Sequence, residues 1–93
     1  MEVFSVLKDK VLLAIKKLEQ KKILPSDLDK YNITIERPKD ERFGELSSNV
    51  SMVLAKQIDF QPRELANYIV NILKSDEMID SAEIAGPGFI NFN

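Results

Sequence analysis

Residues 83–93 have the sequence EIAGPGFINFN, and this segment carries the clearest structural signal in the chain. After the glycines, the side chains alternate with the two-residue period of a β-strand. Ile90 and Phe92 therefore point to one face of the predicted strand, and Phe89 and Asn91 point to the other. The first pair can join a hydrophobic core. The second pair presents an aromatic ring that can stack on a nucleobase and an amide that can hydrogen-bond to its edge.

A purely structural role for Phe89 and Asn91 is the alternative, with the ring buried beneath a helix and the amide bonded to a neighbouring backbone. The sequence also leaves two possibilities for the conformation of the residues before this strand. Residues 86–89 have proline second and glycine third, the pattern of a type II turn. The twist of that turn does not match a tight hairpin. A bent continuation of one strand is therefore as compatible with the sequence as a hairpin.

Composition predicts one small globular domain over residues 1–93, with 44% hydrophobic and 30% charged residues. The chain has no long apolar run and no signal-peptide pattern, so we expect a cytoplasmic protein without membrane contact. It contains neither cysteine nor histidine, which excludes disulfides, zinc sites and imidazole catalysis within it. The net charge of −2 argues against strong phosphate binding by charge alone. Because the chain stops within a predicted strand, we expect a fragment of a longer protein.

Hydrophobic periodicity predicts an α+β fold in the order α-β-α-α-β-β, with three helices covering a small antiparallel or mixed sheet. The predicted helices cover residues 3–22, 45–57 and 62–75, and the predicted strands cover residues 31–37, 82–85 and 89–93.

Two smaller features accompany this pattern. Phe43, in a charged loop, is expected to pack inward. A polar face of small residues on the second predicted helix suits either tight internal packing or the close approach of a partner, and it comprises Ser47, Ser48, Asn49 and Ser51.

Two sequence blocks resemble the N-terminal domain of arginyl-tRNA synthetases. FGELSSNVSMVLAK at residues 43–56, followed by PRELA at 62–66, is similar to the family stretch GDxxxNxAxxLAK and the PREIA that starts its next helix. Here Glu45 replaces the usual Asp and Ser51 the usual Ala. The more specific block is IAGPGFINF at residues 84–92, in which Gly86 stands where some members carry a polar side chain. No side-chain contact is therefore expected from that position.

This resemblance implies that the parent enzyme is an arginine–tRNA ligase that uses ATP and magnesium to esterify arginine to its tRNA in protein synthesis. The domain would contact the tRNA elbow at the D-loop, and its partners would be arginine-accepting tRNA and the catalytic domain of the same chain, not DNA. By motif, the tRNA-binding residues are Phe89 and Asn91. Asn49 and Lys56 are further candidates for facing the RNA.

We predict no catalytic residue, metal site or cofactor within these 93 residues. Motifs similar to HIGH and KMSKS are absent, and the paired carboxylates at residues 40–41 and 76–77 fall in polar loops that we interpret as solvated surface. The alternative function is a protein-interaction or interdomain packing module, in which the Phe89 and Asn91 face meets protein and does not contact RNA.

Overall fold

The computed structural model describes residues 2–40, 42 and 44–93. The expected inward packing of Phe43 and the loop position of Glu41 lie outside the described residues. Those that are described form three helices and a four-stranded sheet: α1 (Val3–Gln20), β1 (Ile35–Glu36), β2 (Leu46–Ser48), α2 (Val50–Ala55), α3 (Pro62–Leu73), β3 (Ala82–Ala85) and β4 (Phe89–Phe92). The sheet order is β1-β2-β4-β3, and every neighbouring pair is antiparallel. The predicted α+β class is confirmed, with an antiparallel sheet.

The second predicted helix is shorter than its periodicity suggested, because its first residues form strand β2. Leu46 and Ser48 are buried and Ser47 between them is half-exposed, which is the alternation of a strand. β2 pairs with β1 on one side and with β4 on the other, so it occupies the centre of the sheet. The apolar residue at position 46 fitted both periods, and pairing with two distant strands decided between them. The observed order is therefore α-β-β-α-α-β-β.

Helix α1 has well-defined signals at both ends. The carboxylate of Glu2 accepts hydrogen bonds from the backbone N–H groups of Phe4 and Ser5 at 2.7 and 2.9 Å. At the other end Lys22 has a φ of +62°, and the N–H of Ile23 donates to the carbonyl of Leu18 at 2.9 Å. This is the Schellman arrangement, and it ends the helix at Gln20 rather than at the predicted residue 22.

The hydrophobic core lies between one face of the sheet and the helices. Ile90 and Phe92 on β4 and Leu46 on β2 point into it. Helices α1 and α3 contribute buried apolar side chains at helical spacing: Leu7, Val11, Ala14, Ile15, Leu18, Leu65, Ala66, Ile69 and Leu73. Burying a side chain of the size of leucine contributes about 1.5–3 kcal/mol. On the opposite face of the sheet, the Phe89 side chain of β4 remains accessible.

Candidate nucleic-acid interface

Strand β4 presents its alternate side chains to opposite sides of the sheet. Ile90 and Phe92 are 0% and 3% exposed, whereas Phe89 is 40% exposed and Asn91 is half-buried. The predicted assignment of faces is confirmed. A ring fixed on a rigid central strand loses little conformational entropy when it meets a ligand, which suits it to stacking.

Asn91 lies within a row of polar residues that crosses the whole sheet. Antiparallel pairing places it opposite Ser47 on β2 and Glu83 on β3, and Ser47 is opposite Glu36 on β1. Phe89 is opposite Ala85, one step along the strand on the same face. The small Ala85 leaves one side of the ring uncrowded. The surface beside the ring is therefore lined by two carboxylates, a hydroxyl and an amide.

The Phe89 ring stands between two connected hollows of a groove. One hollow is bounded by the residues that follow β1, Arg37, Pro38 and Lys39, and by the turn at residues 85–87. The other is bounded by α2, through Met52, Val53 and Lys56. Thr34, Glu36 and Asn49 line both hollows. We call this surface, on both sides of Phe89, the Phe89 groove.

The turn before β4 joins it to β3, and the two strands form a hairpin. The N–H of Gly88 donates to the carbonyl of Ala85 at 3.2 Å, so the turn spans residues 85–88. Gly86 occupies its first central position with a φ of +53°, the backbone sign of a type II′ turn. The sequence pattern suggested a type II turn one residue later. Ala85 pairs with Phe89, so residues 86–88 form a three-residue hairpin loop, and a bent continuation of one strand is excluded.

Asn49 lines the Phe89 groove, but both ends of its amide are already bonded. Its Oδ1 accepts from the N–H of Thr34 at 2.8 Å, and its Nδ2 donates to the carbonyl of Asn32 at 3.1 Å. These bonds hold the segment before β1 against the start of α2. The structure thus gives Asn49 a role in shaping the groove wall.

Charges are divided between the edge and the floor of the groove. Arg37 and Lys39 lie at one edge, and Lys56, the residue directly after α2, lies at the other. Arg37 also lies over the Phe4 ring at 5.6 Å from its centroid, a cation–π contact that restrains the guanidinium. Glu36 lines both hollows and places a carboxylate at the floor of the groove. Such a groove favours phosphates at its edges and hydrogen-bond donors of a base at its floor.

Sequence reasoning predicted Phe89, Asn91, Asn49 and Lys56, and the structure brings Phe89 together with each of the others in the two hollows. The sequence analysis did not identify Arg37 and Lys39, which lie on either side of Pro38 at the end of a predicted strand. Two basic residues at a strand end were an available signal. The contribution of Glu36 was not accessible in this way, since it depends on the pairing of three strands.

In the described part of the chain, no group of three or more Asp or Glu side chains lies close enough to hold a metal ion. None of its helices is long and apolar enough to cross a membrane.

Known proteins are similar in sequence to this chain over nearly its full length. Residues 5–93 match the family described as "Arginyl tRNA synthetase N terminal domain". The chain is 41% identical over 91 residues to an arginine–tRNA ligase of Parvibaculum lavamentivorans and 42% identical over 91 residues to one of Paracoccus denitrificans. An arginine–tRNA ligase of Nitrobacter winogradskyi is 49% identical over 74 residues, which is 80% of this chain.

The matched region covers 98% of this chain but 16% of the Parvibaculum and Paracoccus proteins, so the similarity concerns one domain of those ligases. It includes both sequence blocks, and the groove is built from them together with the residues around β1. The chain belongs to the arginyl-tRNA synthetase N-terminal domain family.

Proposed function

We propose that this domain docks tRNA for an arginine–tRNA ligase, contacting the tRNA elbow at the D-loop through Phe89 and Asn91. The observation that carries the proposal is the ring and the amide held side by side on an exposed, rigid strand, within a groove that has cations at both edges. Loop nucleotides of RNA are recognised when an unstacked base lies on an aromatic ring and its edge is hydrogen-bonded.

The proposed contact is modest in energy. One base–aromatic stack is worth about 1–3 kcal/mol, and a hydrogen bond from the amide adds about 0.5–1.5 kcal/mol. Arg37, Lys39 and Lys56 would meet flanking phosphates, but the net charge of −2 limits the long-range attraction. The domain would therefore add to tRNA contacts made by the rest of the enzyme. Lys56 faces RNA directly in this proposal, and Asn49 acts by supporting the wall of the groove.

The remaining steps belong to the parent enzyme in this proposal. A catalytic domain of the same polypeptide would activate arginine with ATP, with magnesium assisting, and would transfer it to arginine-accepting tRNA in the cytoplasm. The N-terminal domain would act before chemistry, by orienting the tRNA. It would not act on DNA, since the floor of the groove suits an unstacked base rather than a duplex.

The experiment is aminoacylation kinetics of the full-length ligase that carries this domain, with Phe89→Ala and Asn91→Ala. We expect Phe89→Ala to raise KM for tRNA about 5- to 150-fold, because loss of a stack worth 1–3 kcal/mol weakens docking. The kcat and the dependence on arginine and ATP should stay unchanged, since the contact is remote from the reacting atoms. Tyr31→Ala is the matched control, because Tyr31 is 88% exposed and does not line the groove.

Altered tRNA provides the second arm of this experiment. Replacing D-loop bases should reduce the difference between wild-type enzyme and Phe89→Ala, because the lost stack requires its base. Asn91→Ala should have a smaller effect that depends on the base present. A folded Phe89→Ala enzyme with unchanged tRNA kinetics would contradict the proposal.

Interdomain packing is the second candidate function, and a different surface favours it. An apolar hollow lies on the helix side of the sheet, lined by residues that include Val3, Val6, Leu46 and Met78. Met78 is 67% exposed there, although it is large and apolar. If packing is the role of the domain, Met78→Ser should destabilise the full-length ligase more than it destabilises the 93-residue chain, while Phe89→Ala should leave tRNA kinetics unchanged.

A further inference from the structure

We propose that the first turn of α3 positions the strand that carries Phe89, and that Arg63 is the positioning residue. The effect on RNA binding rests on the proposed function, whereas the effect on the hairpin does not. Two independent contacts join the start of α3 to the turn at residues 85–88, one at Gly86 and one at Gly88, which lie three residues and one residue before Phe89.

The first contact is a hydrogen bond from a charged donor. Nη1 of Arg63 donates to the carbonyl oxygen of Gly86 at 2.5 Å. Gly86 is the first central residue of the turn and has a positive φ, so its peptide orientation is one that most residues avoid. A bond from a guanidinium is stronger than a neutral one and restrains this orientation.

The second contact is close packing of backbone on the helix start. Gly88 is buried, and a Cβ built on it would lie 2.8 Å from Cβ of Pro62 and 3.4 Å from Cγ of Met52. Real Cβ atoms do not approach other carbon atoms so closely, so the turn is seated against α3 in a way that glycine alone permits. Arg63 and Pro62 thus hold the turn at Gly86 and at Gly88.

The position of Arg63 in α3 is unfavourable for the helix itself. It lies in the first turn, where the positive end of the helix dipole disfavours a cation. The Gly86 carbonyl gives the guanidinium a favourable partner at that place. This contact links residues 62–66 to residues 84–92, because the Arg63 side chain of the first segment bonds to the Gly86 backbone of the second.

Because Phe89 directly follows the seated turn, a shift of the turn moves the ring. A stacking contact is sensitive to such a shift, so we expect Arg63 to influence RNA binding without touching RNA. The competing role is direct contact of its remaining N–H donors with a phosphate.

The first test does not involve RNA. In ¹⁵N-labelled 93-residue chain, Arg63→Ala should shift the amide signals of residues 86–89 and speed hydrogen exchange of the Gly88 amide, whose N–H donates to Ala85. Lys74→Ala is the matched control, because it removes the same charge from the residue directly after α3. Unchanged signals at residues 86–89 in Arg63→Ala would overturn the proposal.

The second test uses tRNA kinetics of the full-length ligase in a double-mutant cycle. Arg63→Ala should raise KM for tRNA about three- to tenfold with kcat unchanged, and it should add nothing when Phe89 is already alanine. The slope of log KM against log salt concentration should stay the same. A phosphate contact would instead persist in the Phe89→Ala background and lower that slope by about 0.7–0.9, which would overturn the positioning role.

These tests separate the two proposals. If Phe89→Ala leaves KM for tRNA unchanged, the proposed RNA contact fails, and the proposed effect of Arg63 on RNA binding fails with it. The seating of the hairpin on α3 is still decided by the amide signals and by exchange at Gly88.

Discussion

The hydroxyl of Ser51 is fully buried within α2 and has no hydrogen-bond partner among the described residues. A buried hydroxyl without a partner carries an uncompensated desolvation cost. Alanine also has a higher helix propensity than serine. We therefore expect Ser51→Ala to stabilise the domain by about 1 kcal/mol, measured as an increased urea midpoint with an unchanged m-value.

Ser48 is the matched control for this substitution, because it is equally buried but bonded. Its Oγ accepts from the N–H of Val50 at 3.1 Å, at the start of α2. Ser48→Ala should destabilise the domain by about 1 kcal/mol, as loss of a helix-start bond does. If both substitutions shift the midpoint in the same direction, the difference in hydrogen bonding is not what distinguishes these two serines.

Phe92 and Phe89 form a second matched pair on one strand. Phe92 is 3% exposed and packs in the core, so Phe92→Ala should destabilise the fold by about 3–5 kcal/mol. Phe89→Ala should cost far less, because the ring is 40% exposed. Denaturant unfolding of the two variants measures this difference, and equal losses would contradict the assignment of their faces.

The hairpin of β3 and β4 depends on two glycines for different reasons. Gly86→Ala should cost about 1–2 kcal/mol, because its φ of +53° is strained for alanine, although no atom lies within 4 Å of the new Cβ. Gly88→Ala should cost more, since strain at a φ of +140° is joined by the clash with Pro62. Thermal or urea unfolding should rank the two in this order, and the reverse ranking would show that the turn is not seated on α3.

An ion pair between Lys10 and Asp76 ties helix α1 to the loop that follows α3. The hydrogen bond from Lys10, with a further bond from the backbone N–H of Met78, holds the pKa of Asp76 below its ordinary value. The stability from this lowered pKa is complete above the ordinary pKa of an aspartate, about 3.9, and is lost as pH falls through the lower folded value.

We therefore expect Asp76→Asn to be less stable than the wild-type chain near pH 7 and the difference to disappear in acid. Urea unfolding at pH 7 and near pH 2 measures both differences. Asp27→Asn is the control, because Asp27 is exposed and forms no ion pair with any other described residue. An equal loss of stability at both pH values would exclude ionisation of Asp76 as the cause.

At the scale of the whole molecule, net charge limits how strongly the domain alone can attract RNA. With a net charge of −2, we expect the isolated 93-residue chain to bind tRNA with a Kd on the order of 10⁻⁴ M or weaker, near the non-specific range. Fluorescence anisotropy at physiological salt, with duplex RNA as the control, measures this affinity. Sub-micromolar binding would require a larger basic surface than the Phe89 groove provides.

Local sequence determined the features that depend on a few neighbouring residues. The two faces of β4 follow from the alternation of Phe89, Ile90, Asn91 and Phe92, and the stripes of α1 and α3 follow from helical spacing. The same logic located the start of α3 at Pro62, because proline lacks the N–H that a first helical turn leaves unpaired. These features were predictable because their causes act within one or two turns of chain.

Tertiary structure decided the features that depend on distant partners. Leu46 fitted a helix and a strand equally well, and only its pairing opposite Phe92 made it part of β2. That pairing also aligned Glu36, Ser47 and Asn91 into one row and brought Lys56 beside Phe89. The bond from Arg63 to Gly86 spans 23 positions. A strand acquires its hydrogen bonds from other segments, so register across the sheet, rather than local propensity, built the groove around residues that the sequence had already identified.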